Sequence, residues 1–446
     1  MAVDFRIRDF SHPLAIYRLK RRFDRNQWMP RASLEADQWI RLKSILERCF
    51  QKVPYYRRLW ETLDLTPTDI VTPEDLKRLP ILSREDLSDS IGDLMATDAR
   101  RFGPIADTTS GTTGTPTRFY LARSSNVLEF VYYWRHWGWA GYRLGDRFAE
   151  LGAYYFLKRT SIIDRTALWQ PVLQRLMLNS TRLSRSRAKE MAVAIRLRRP
   201  LFLKGTASAL YFFALSLQDA GIDDIGFTAI FSTGEVLTPA LRSRISEVFH
   251  GPVLDSYGHM ERTVAISECP DGGYHVNSDY GWVEFTDPQP SDNGTSLRAR
   301  IVATSLHNMA MPLVRYDTGD DIELFTETRP CSCGRTFPLI KALHGRREDA
   351  IVTPDGSFIT AMYVVPELIV GARFIQFIQE SADMLAVHVV PASGWTDTEQ
   401  SLLEERVRSL VGKGMALRIH MIGEKDLVRD ISGKIRTVIS KTRVSR

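Results

Sequence analysis

The chain has 446 residues, 44% of them hydrophobic and 25% charged, with 59 Lys+Arg against 53 Asp+Glu and a net charge of +6. This is ordinary globular usage, which excludes a disordered chain, a collagen and a disulfide-stapled miniprotein, and so thin a basic surplus makes no case for nucleic acid. No run reaches the roughly 18 uninterrupted apolar residues of a membrane span, and MAVDFRIRDF carries no apolar signal core, so a soluble, cytoplasmic protein without a membrane span is expected.

Residues 1–100 read mostly as helices. Leu34 to Phe50 has apolar positions at helical spacing, ended by Pro54. Thr72-Pro73-Glu74-Asp75 and Ser83-Arg84-Glu85-Asp86 each put a capping hydroxyl before acidic first-turn residues. Residues 107–118 are a small, hydroxyl-rich loop. An aromatic helix over Phe130–Trp139 and a basic amphipathic helix over 181–200 follow; aromatic stripes of this kind are usually core, and basic runs are usually solvated faces. Strand (Phe227–Phe231), helix (Pro239–Phe249) and strand (Val253–Ser256) then alternate, which argues α/β layering. Residues 282–285, 299–303 and 321–324 read as strands. A boundary near Gly345–Asp349 separates a large α/β N-terminal domain, 1–344, from a small α+β C-terminal domain, 345–446. The latter is expected to hold strands at 374–379, 385–390 and 417–422 and a helix at 397–411.

Three features carry chemistry. In the loop Thr108–Thr117, two glycines let backbone N–H groups approach a ligand closely and the hydroxyls of Thr108, Thr109, Ser110, Thr112 and Thr113 add donors, a composition suited to phosphate oxygens. It is not the G-x-x-x-x-G-K-[ST] loop, and composition alone fits a plain surface loop equally well. Glu261 and Asp320 read individually as a surface acid and a turn residue. Of the four cysteines, Cys331 and Cys333 sit two apart on a Gly-containing turn, and Cys269 lies upstream with His275 beyond it. Three thiols and one imidazole make a full tetrahedral set for structural Zn²⁺; buried free thiols and a reactive surface pair are the other readings.

Taken together, these segments resemble a known family. Thr109–Thr117 (TSGTTGTPT) resembles the phosphate-binding motif of adenylate-forming enzymes, the acyl-CoA synthetase superfamily. Ser232-Thr233-Gly234-Glu235 resembles the strand-end segment beside adenine, Tyr257–Glu261 the aromatic-Gly-x-x-Glu motif, and Arg315–Asp320 the R-Y-x-T-G-D motif. Gly345, Arg346 and Glu348 resemble the hinge, and Ser432-Gly433-Lys434 the C-terminal lysine motif. Six motifs in order over 109–434 are specific where one is not. Val53–Arg57 (VPYYR), Cys331–Thr336 (CSCGRT) and the short chain look like phenylacetate-CoA ligases and their capsule-biosynthesis CapK-like relatives.

The resemblance implies roles. Backbone and hydroxyls of Ser110, Gly111, Thr112, Thr113, Gly114 and Thr115 hold the departing phosphates, although Thr115 stands where many relatives carry lysine. Glu261 binds Mg²⁺, as a hard cation wants carboxylate oxygen. Tyr257, with Gly258, stacks on adenine beside Gly234 and Glu235. Asp320 holds the ribose hydroxyls with help from Arg346. Lys434 on a mobile lid bridges the carboxylate and α-phosphate. Cys269, His275, Cys331 and Cys333 hold zinc. The implied reaction uses ATP and Mg²⁺ to convert a small-molecule carboxylic acid to acyl-AMP and passes the acyl group to coenzyme A. Another acceptor (a carrier-protein thiol, an amine or a hydroxyl), transfer of AMP itself as in coenzyme F390 synthetase-like enzymes, and a non-catalytic nucleotide-binding relative are the alternatives. Relatives are often homodimers.

Overall fold

The helical periodicity at the start of the chain is realised as α1 (Pro13–Asn26), α2 (Arg31–Lys52) and α3 (Pro54–Thr62), followed by the short helices α4 (Arg84–Asp89) and α5 (Ile91–Leu94). The computed structural model describes residues 13–108, 118–157, 160–291, 295–344 and 351–442, except 357, 360–361, 363–364, 367–368, 370, 393–394 and 429–436. Pro54 occupies the first position of α3, where its missing N–H costs nothing. Both predicted capping segments form reciprocal bonds. The Asp86 carboxylate accepts from the Ser83 N–H at 3.0 Å while the Ser83 hydroxyl accepts from the Asp86 N–H at 3.0 Å. The Thr72 segment caps only a short 3₁₀ turn, Pro73–Arg78.

A hairpin, β1 (Ile105–Thr108) and β2 (Arg118–Leu121), flanks the phosphate-loop motif, which lies outside the described residues. It leads into α6 (Arg123–Trp139). This helix is buried on all sides along most of its length, including Tyr132, Tyr133, Trp134 and Trp137. A helix that is apolar all round can only be an internal one. His136 is a buried core residue, its Nε2 bonding the Glu268 carbonyl at 2.9 Å.

One face of α6 packs on the central sheet. That sheet is built from β3 (Phe148–Leu151), β4 (Ala167–Gln170), β5 (Arg175–Leu178), β6 (Phe202–Gly205), β7 (Ala229–Thr233), β8 (Val253–Gly258), β9 (Ala265–Glu268) and β10 (Tyr274–Val276). The pairing runs β8-β7-β6-β3-β5 in parallel, with antiparallel edges at β9, β10 and β4. Strands β3, β5, β6 and β7 are buried at every residue, as parallel strands covered on both faces must be. Phe148, Phe202 and Phe231 meet the aromatic side of α6. The opposite face packs against α8 (Arg185–Arg198), α9 (Ala207–Asp219) and α10 (Pro239–Phe249) through Met191, Ile195, Phe213 and Phe249. Strand β7 begins two residues later than its apolar run, because Phe227 is engaged at the end of α10 through the Phe249 carbonyl at 3.0 Å. A short α7 (Ala153–Leu157) follows β3.

A second, antiparallel sheet holds β11 (Gly281–Pro290), β12 (Ser296–Ser305) and β13 (Tyr316–Phe325). Its first strand outruns the predicted 282–285 by continuing past Pro288 through a register shift between Thr286 and Gln289, the kind of irregularity that admits a residue without an N–H. Strand β14 (Leu339–Ile340) joins β10 at the edge of the central sheet, and β15 (Ala342–His344) pairs with β13. Strands β16 (Ile351–Val352) and β17 (Phe358–Ile359) form a small ribbon. The last sheet, ordered β20-β19-β18-β21, contains β18 (Ala372–Ser381), β19 (Met384–Pro391), β20 (Ala416–Met421) and β21 (Val438–Ser440). Leu403, Val407 and Leu410 of α11 (Asp397–Val411) cover it. Among the described residues no helix is long and apolar enough to cross a membrane.

One buried ion pair anchors α1 and α6 to the segment after β10. Arg135 and Asp279 meet at 2.6 Å with side chains 1% and 0% exposed. Arg135 also donates to Asn277 Oδ1 at 2.7 Å and to the Phe23 carbonyl at 3.1 Å, and Asn26 donates to Asp279 at 3.1 Å. Removing one partner strands a desolvated charge. Arg135→Met is expected to cost about 3–5 kcal/mol in urea unfolding, whereas an exposed pair such as Arg57–Glu61 is expected to cost under about 1 kcal/mol on truncation. Equal losses would contradict this assignment.

Candidate active site

Open parallel sheets bind ligands at the carboxyl ends of their strands, and the described motif residues of β7, β8 and β13 meet in that region. Strand β7 ends at Thr233, and Gly234 follows with φ +82, a left-handed conformation that a Cβ would strain. The Glu235 carboxylate accepts from the Ser208 N–H at 2.7 Å and the Ser208 hydroxyl at 2.9 Å. It therefore fastens the loop after β7 to the first turn of α9, with its pKa raised by burial.

Strand β8 carries Tyr257 and Gly258. The Tyr257 hydroxyl donates to Asp320 Oδ2 on β13 at 2.9 Å. Three residues earlier than Asp320 in the same strand direction, Asp317 accepts from the Gly319 N–H at 3.0 Å, and Gly319 takes φ +72 to make that turn in the strand. Just beyond β8, Glu261 is 5% exposed. Its Oε1 accepts from the Tyr316 hydroxyl at 2.8 Å, and its Oε2 lies 2.7 Å from His259 Nδ1. Burial works to raise the Glu261 pKa, but the charge and hydrogen bond of His259, the Arg84 charge and the Tyr316 hydroxyl overcome it and hold the carboxyl down to about 2. Glu261 is thus an ionised, hydrogen-bonded carboxylate at neutral pH, the oxygen type a magnesium ion takes. Each of the two motifs gives the other a phenol and receives one on a carboxylate.

A cavity of about 900 Å³ opens immediately after Gly234-Glu235. Leu237, Pro239, Arg242, Asp255, Tyr274 and Leu343 line it. Sequence reasoning did not single out Asp255, Arg242 or Tyr274. The available signal was Asp255 itself, a lone charge inside the apolar run Val253–Ser256 of a parallel strand. Burial, then the neighbouring Glu268 carboxylate, push Asp255 up to about 7, against the opposing Arg242 charge. Asp255 accepts from the Tyr274 hydroxyl at 3.2 Å and from the Ser256 N–H at 3.0 Å.

The cysteine set also comes together. One ligand atom from each of Cys269, His275, Cys331 and Cys333 falls within 4.8 Å of the others. The Cys269 and Cys331 sulfurs are 3.6 Å apart, and Cys333 Sγ is 3.2 Å from His275 Nε2. All the thiols are free. With Zn–S about 2.3 Å and Zn–N about 2.0–2.1 Å, tetrahedral ligand atoms stand roughly 3.5–3.8 Å apart, so the donor set fits zinc. The Phe337 carbonyl, 3.4 Å from His275 Nδ1, can only accept. That places the ring proton on Nδ1 and leaves the Nε2 lone pair toward the cysteines. Burial lowers the His275 pKa to about 4, keeping the imidazole neutral. Gly273 is required beside them, since a Cβ there would lie 2.8 Å from Cys331 Sγ.

Ser110, Gly111, Thr112, Thr113, Gly114 and Thr115, together with Arg346, Glu348 and Lys434, lie outside the described residues.

Asp255 sets a pH test. Its folded pKa is raised from 3.8 to about 7, so the folded state holds a proton that the unfolded chain has lost. Stability from this group is full below about pH 4 and disappears as the pH rises through 7. Urea unfolding of the wild type is therefore expected to weaken between pH 5 and 8, relative to Asp255→Asn, on the order of 2–3 kcal/mol. Parallel pH profiles would contradict the assignment. The groups facing Asp255 in this account are Glu268, Arg242 and Tyr274.

Comparison with known proteins places this geometry. Residues 351–441 match the family model of the CapK C-terminal domain. The chain is 26% identical over 334 residues to the phenylacetate-coenzyme A ligase of Thermus thermophilus, with 73% of each chain covered. It is 24% identical over 341 residues to protein CapK of Staphylococcus aureus, covering 72% of this chain and 70% of that one. Among solved structures, 2-hydroxyisobutyryl-CoA ligase in its postadenylation state shares the fold, with a TM-score of 0.58 and 20% identity over 94% of this chain and 91% of that one. The motifs ending β7 and β8 and starting β13 lie together in the described structure, and these matches point the same way: the chain is similar to phenylacetate-CoA ligases and CapK-like proteins and shares the fold of an adenylate-forming ligase.

Proposed function

We propose that the protein is an AMP-forming acid–CoA ligase. It activates an organic carboxylic acid with ATP and passes the acyl group to coenzyme A. The observation that carries this reading is the interlock of Tyr257 with Asp320 and of Tyr316 with Glu261 where β8 and β13 meet. It brings a tyrosine ring, the Asp320 carboxylate and the ionised Glu261 carboxylate to one place, which suits adenine, ribose and a metal ion. Phenylacetate-coenzyme A ligases recur among the relatives, including that of Pseudomonas putida at 27% identity.

In the first half-reaction a carboxylate oxygen of the acid attacks the α-phosphorus of ATP. The bond to the bridging oxygen breaks and pyrophosphate leaves. In the second, the sulfur of coenzyme A attacks the acyl carbon and AMP leaves with the bonding electrons. Both steps spread negative charge, so the protein's part is positioning and electrostatic stabilisation. Tyr257 stacks on the adenine, and its own hydroxyl orients Asp320 toward the ribose. The Ser110–Thr115 backbone and hydroxyls receive the departing pyrophosphate. Glu261, ionised and held by Tyr316 and His259, supplies the oxygen for magnesium, which when bound screens phosphate charge. Lys434 brings one positive charge to the attacking carboxylate and the α-phosphate. We assign residues 345–446 to a lid that swings about the Glu348 segment, so that Lys434 serves the first half-reaction and leaves room for the thiol in the second. Cys269, His275, Cys331 and Cys333 hold structural zinc. An acid whose hydrophobic part is flat is favoured by the aromatic segment Tyr154-Tyr155-Phe156, which follows β3 at the same sheet edge.

The test separates the half-reactions. The wild type, given ATP, Mg²⁺, coenzyme A and a panel of aryl, fatty and hydroxy acids, is expected to yield one class of acyl-CoA with stoichiometric AMP by mass spectrometry. Lys434→Ala is expected to lose acyl-AMP formation by 10²-fold or more, about 2.7 kcal/mol, yet to convert supplied acyl-AMP to acyl-CoA. A variant that retains both activities would remove Lys434 from the mechanism, and AMP transfer without thioester would remove coenzyme A.

A further inference from the structure

We propose that the three-cysteine, one-histidine knot positions the nucleobase end of the site: it fixes the hairpin β9–β10, whose Glu268 and Tyr274 side chains hold Arg242 and Asp255 at the cavity wall. This rests on the nucleotide-binding function proposed above and on reading the cavity, whose lining begins at Val236 directly after Gly234-Glu235, as the nucleobase end of that site.

The knot and the cavity are two faces of one hairpin. Glu268 and Tyr274 are cross-strand partners, and each is followed directly by a knot residue, Cys269 and His275. Successive side chains in a strand point to opposite faces. Tyr274 therefore lines the cavity while His275 faces the cysteines. On the cavity side the bonds are specific. Glu268 Oε2 accepts from Arg242 Nη2 at 2.8 Å and from the Asp255 backbone N–H at 2.7 Å. The Tyr274 hydroxyl accepts from Arg242 Nη2 at 3.3 Å and donates to Asp255 Oδ2 at 3.2 Å. Arg242 and Asp255 on the wall are thus held by two groups that ride on the hairpin, Tyr274 on the wall itself and Glu268 behind it.

The hairpin tip also touches the Cys331–Cys333 turn directly, where the Ser332 hydroxyl donates to Asp271 Oδ2 at 3.1 Å. Its turn is closed by the Cys269 N–H on the Gly273 carbonyl at 2.9 Å and the Gly272 N–H on the Cys269 carbonyl at 2.9 Å. On its outer side β10 meets β14 at just two register positions, Tyr274–Ile340 and His275–Leu339. A crosslink from Cys269 and His275 to the Cys331–Cys333 turn would lock the same two segments together. The magnesium side is wired differently. Glu261 takes its bonds from His259 and Tyr316, and neither belongs to the knot. Loss of the knot is therefore expected to weaken nucleotide binding and to leave the response to Mg²⁺ in place.

The experiment compares wild type, Cys333→Ser and Tyr274→Phe. It reads zinc by plasma mass spectrometry, binding of a fluorescent N-methylanthraniloyl ATP in Mg²⁺, and the Mg²⁺ dependence of that binding. The wild type is expected to hold zinc and bind the nucleotide. Cys333→Ser loses the zinc and weakens nucleotide binding about tenfold, the scale of the wall's hydrogen bonds, with an unchanged Mg²⁺ midpoint. Tyr274→Phe keeps its zinc and weakens nucleotide binding several-fold; since it leaves the knot intact, it carries the test if Cys333→Ser does not fold. Zinc-free protein with wild-type nucleotide affinity, Tyr274→Phe with wild-type affinity, or wild type without zinc overturns the inference while leaving the nucleotide pocket standing. Zinc-loaded wild type that binds no nucleotide overturns the pocket reading, and the inference falls with it.

Discussion

Two tyrosine–carboxylate hydrogen bonds, running in opposite directions, join the two sheets that make the site. Tyr257 on the parallel sheet donates to Asp320 on the antiparallel one at 2.9 Å, and Tyr316 on the antiparallel sheet donates to Glu261 beyond the parallel one at 2.8 Å. Burial raises both phenol pKa values far above neutrality, so both remain donors. A buried carboxylate must find partners or lose its charge. Here each motif supplies the other's carboxylate with a phenol donor, so a shift of either breaks a buried hydrogen bond of both. The N-terminal helices support the same junction: the Val314 N–H, one residue before the Arg315 motif, donates to the Tyr56 hydroxyl at 2.8 Å. The VPYYR segment thus has a structural task at the site's foundation.

The division of labour that results is physical. The α6 side of the central sheet is a dry aromatic layer, and the α10 side opens into a polar-walled cavity. Charges are few at the sheet edge and nearly all are fixed by neutral donors or paired guanidinium groups. Such preorganised dipoles and charges are what phosphoryl and acyl transfer require, since neither step needs a protein nucleophile. The thiols stand apart from this chemistry, on the far face of the β9–β10 hairpin.

Much of the fold was legible because its signals are local. Capping boxes at Ser83 and Thr72, the helix from Pro239 to Phe249 and the α/β alternation around 227–256 each depend on neighbours within a few residues. Strand β11 was read short because its second half depends on β12, which hydrophobic alternation does not announce. The motif residues Tyr257, Glu261 and Asp320 were legible as a set by resemblance; that Tyr316 is the donor to Glu261 was not, because the bond spans 55 positions in sequence. The Glu235 carboxylate engages Ser208 at the α9 N-terminus, a pairing no local pattern encodes. Asp255 and Tyr274 escaped notice for the same reason: their meaning arises only when β8, α10 and the β9–β10 hairpin are brought together.

The most direct measurement is carboxylate-dependent exchange of labelled pyrophosphate into ATP, run with Mg²⁺ and without coenzyme A. Because it reads the first half-reaction alone, it does not depend on the identity of the acceptor. The account predicts exchange that requires one class of organic acid and that Asp320→Ala and Glu261→Gln both suppress. Binding of ATP with no acid-dependent exchange across aryl, fatty, amino and hydroxy acids would contradict it, leaving a nucleotide-binding protein that does not form adenylates.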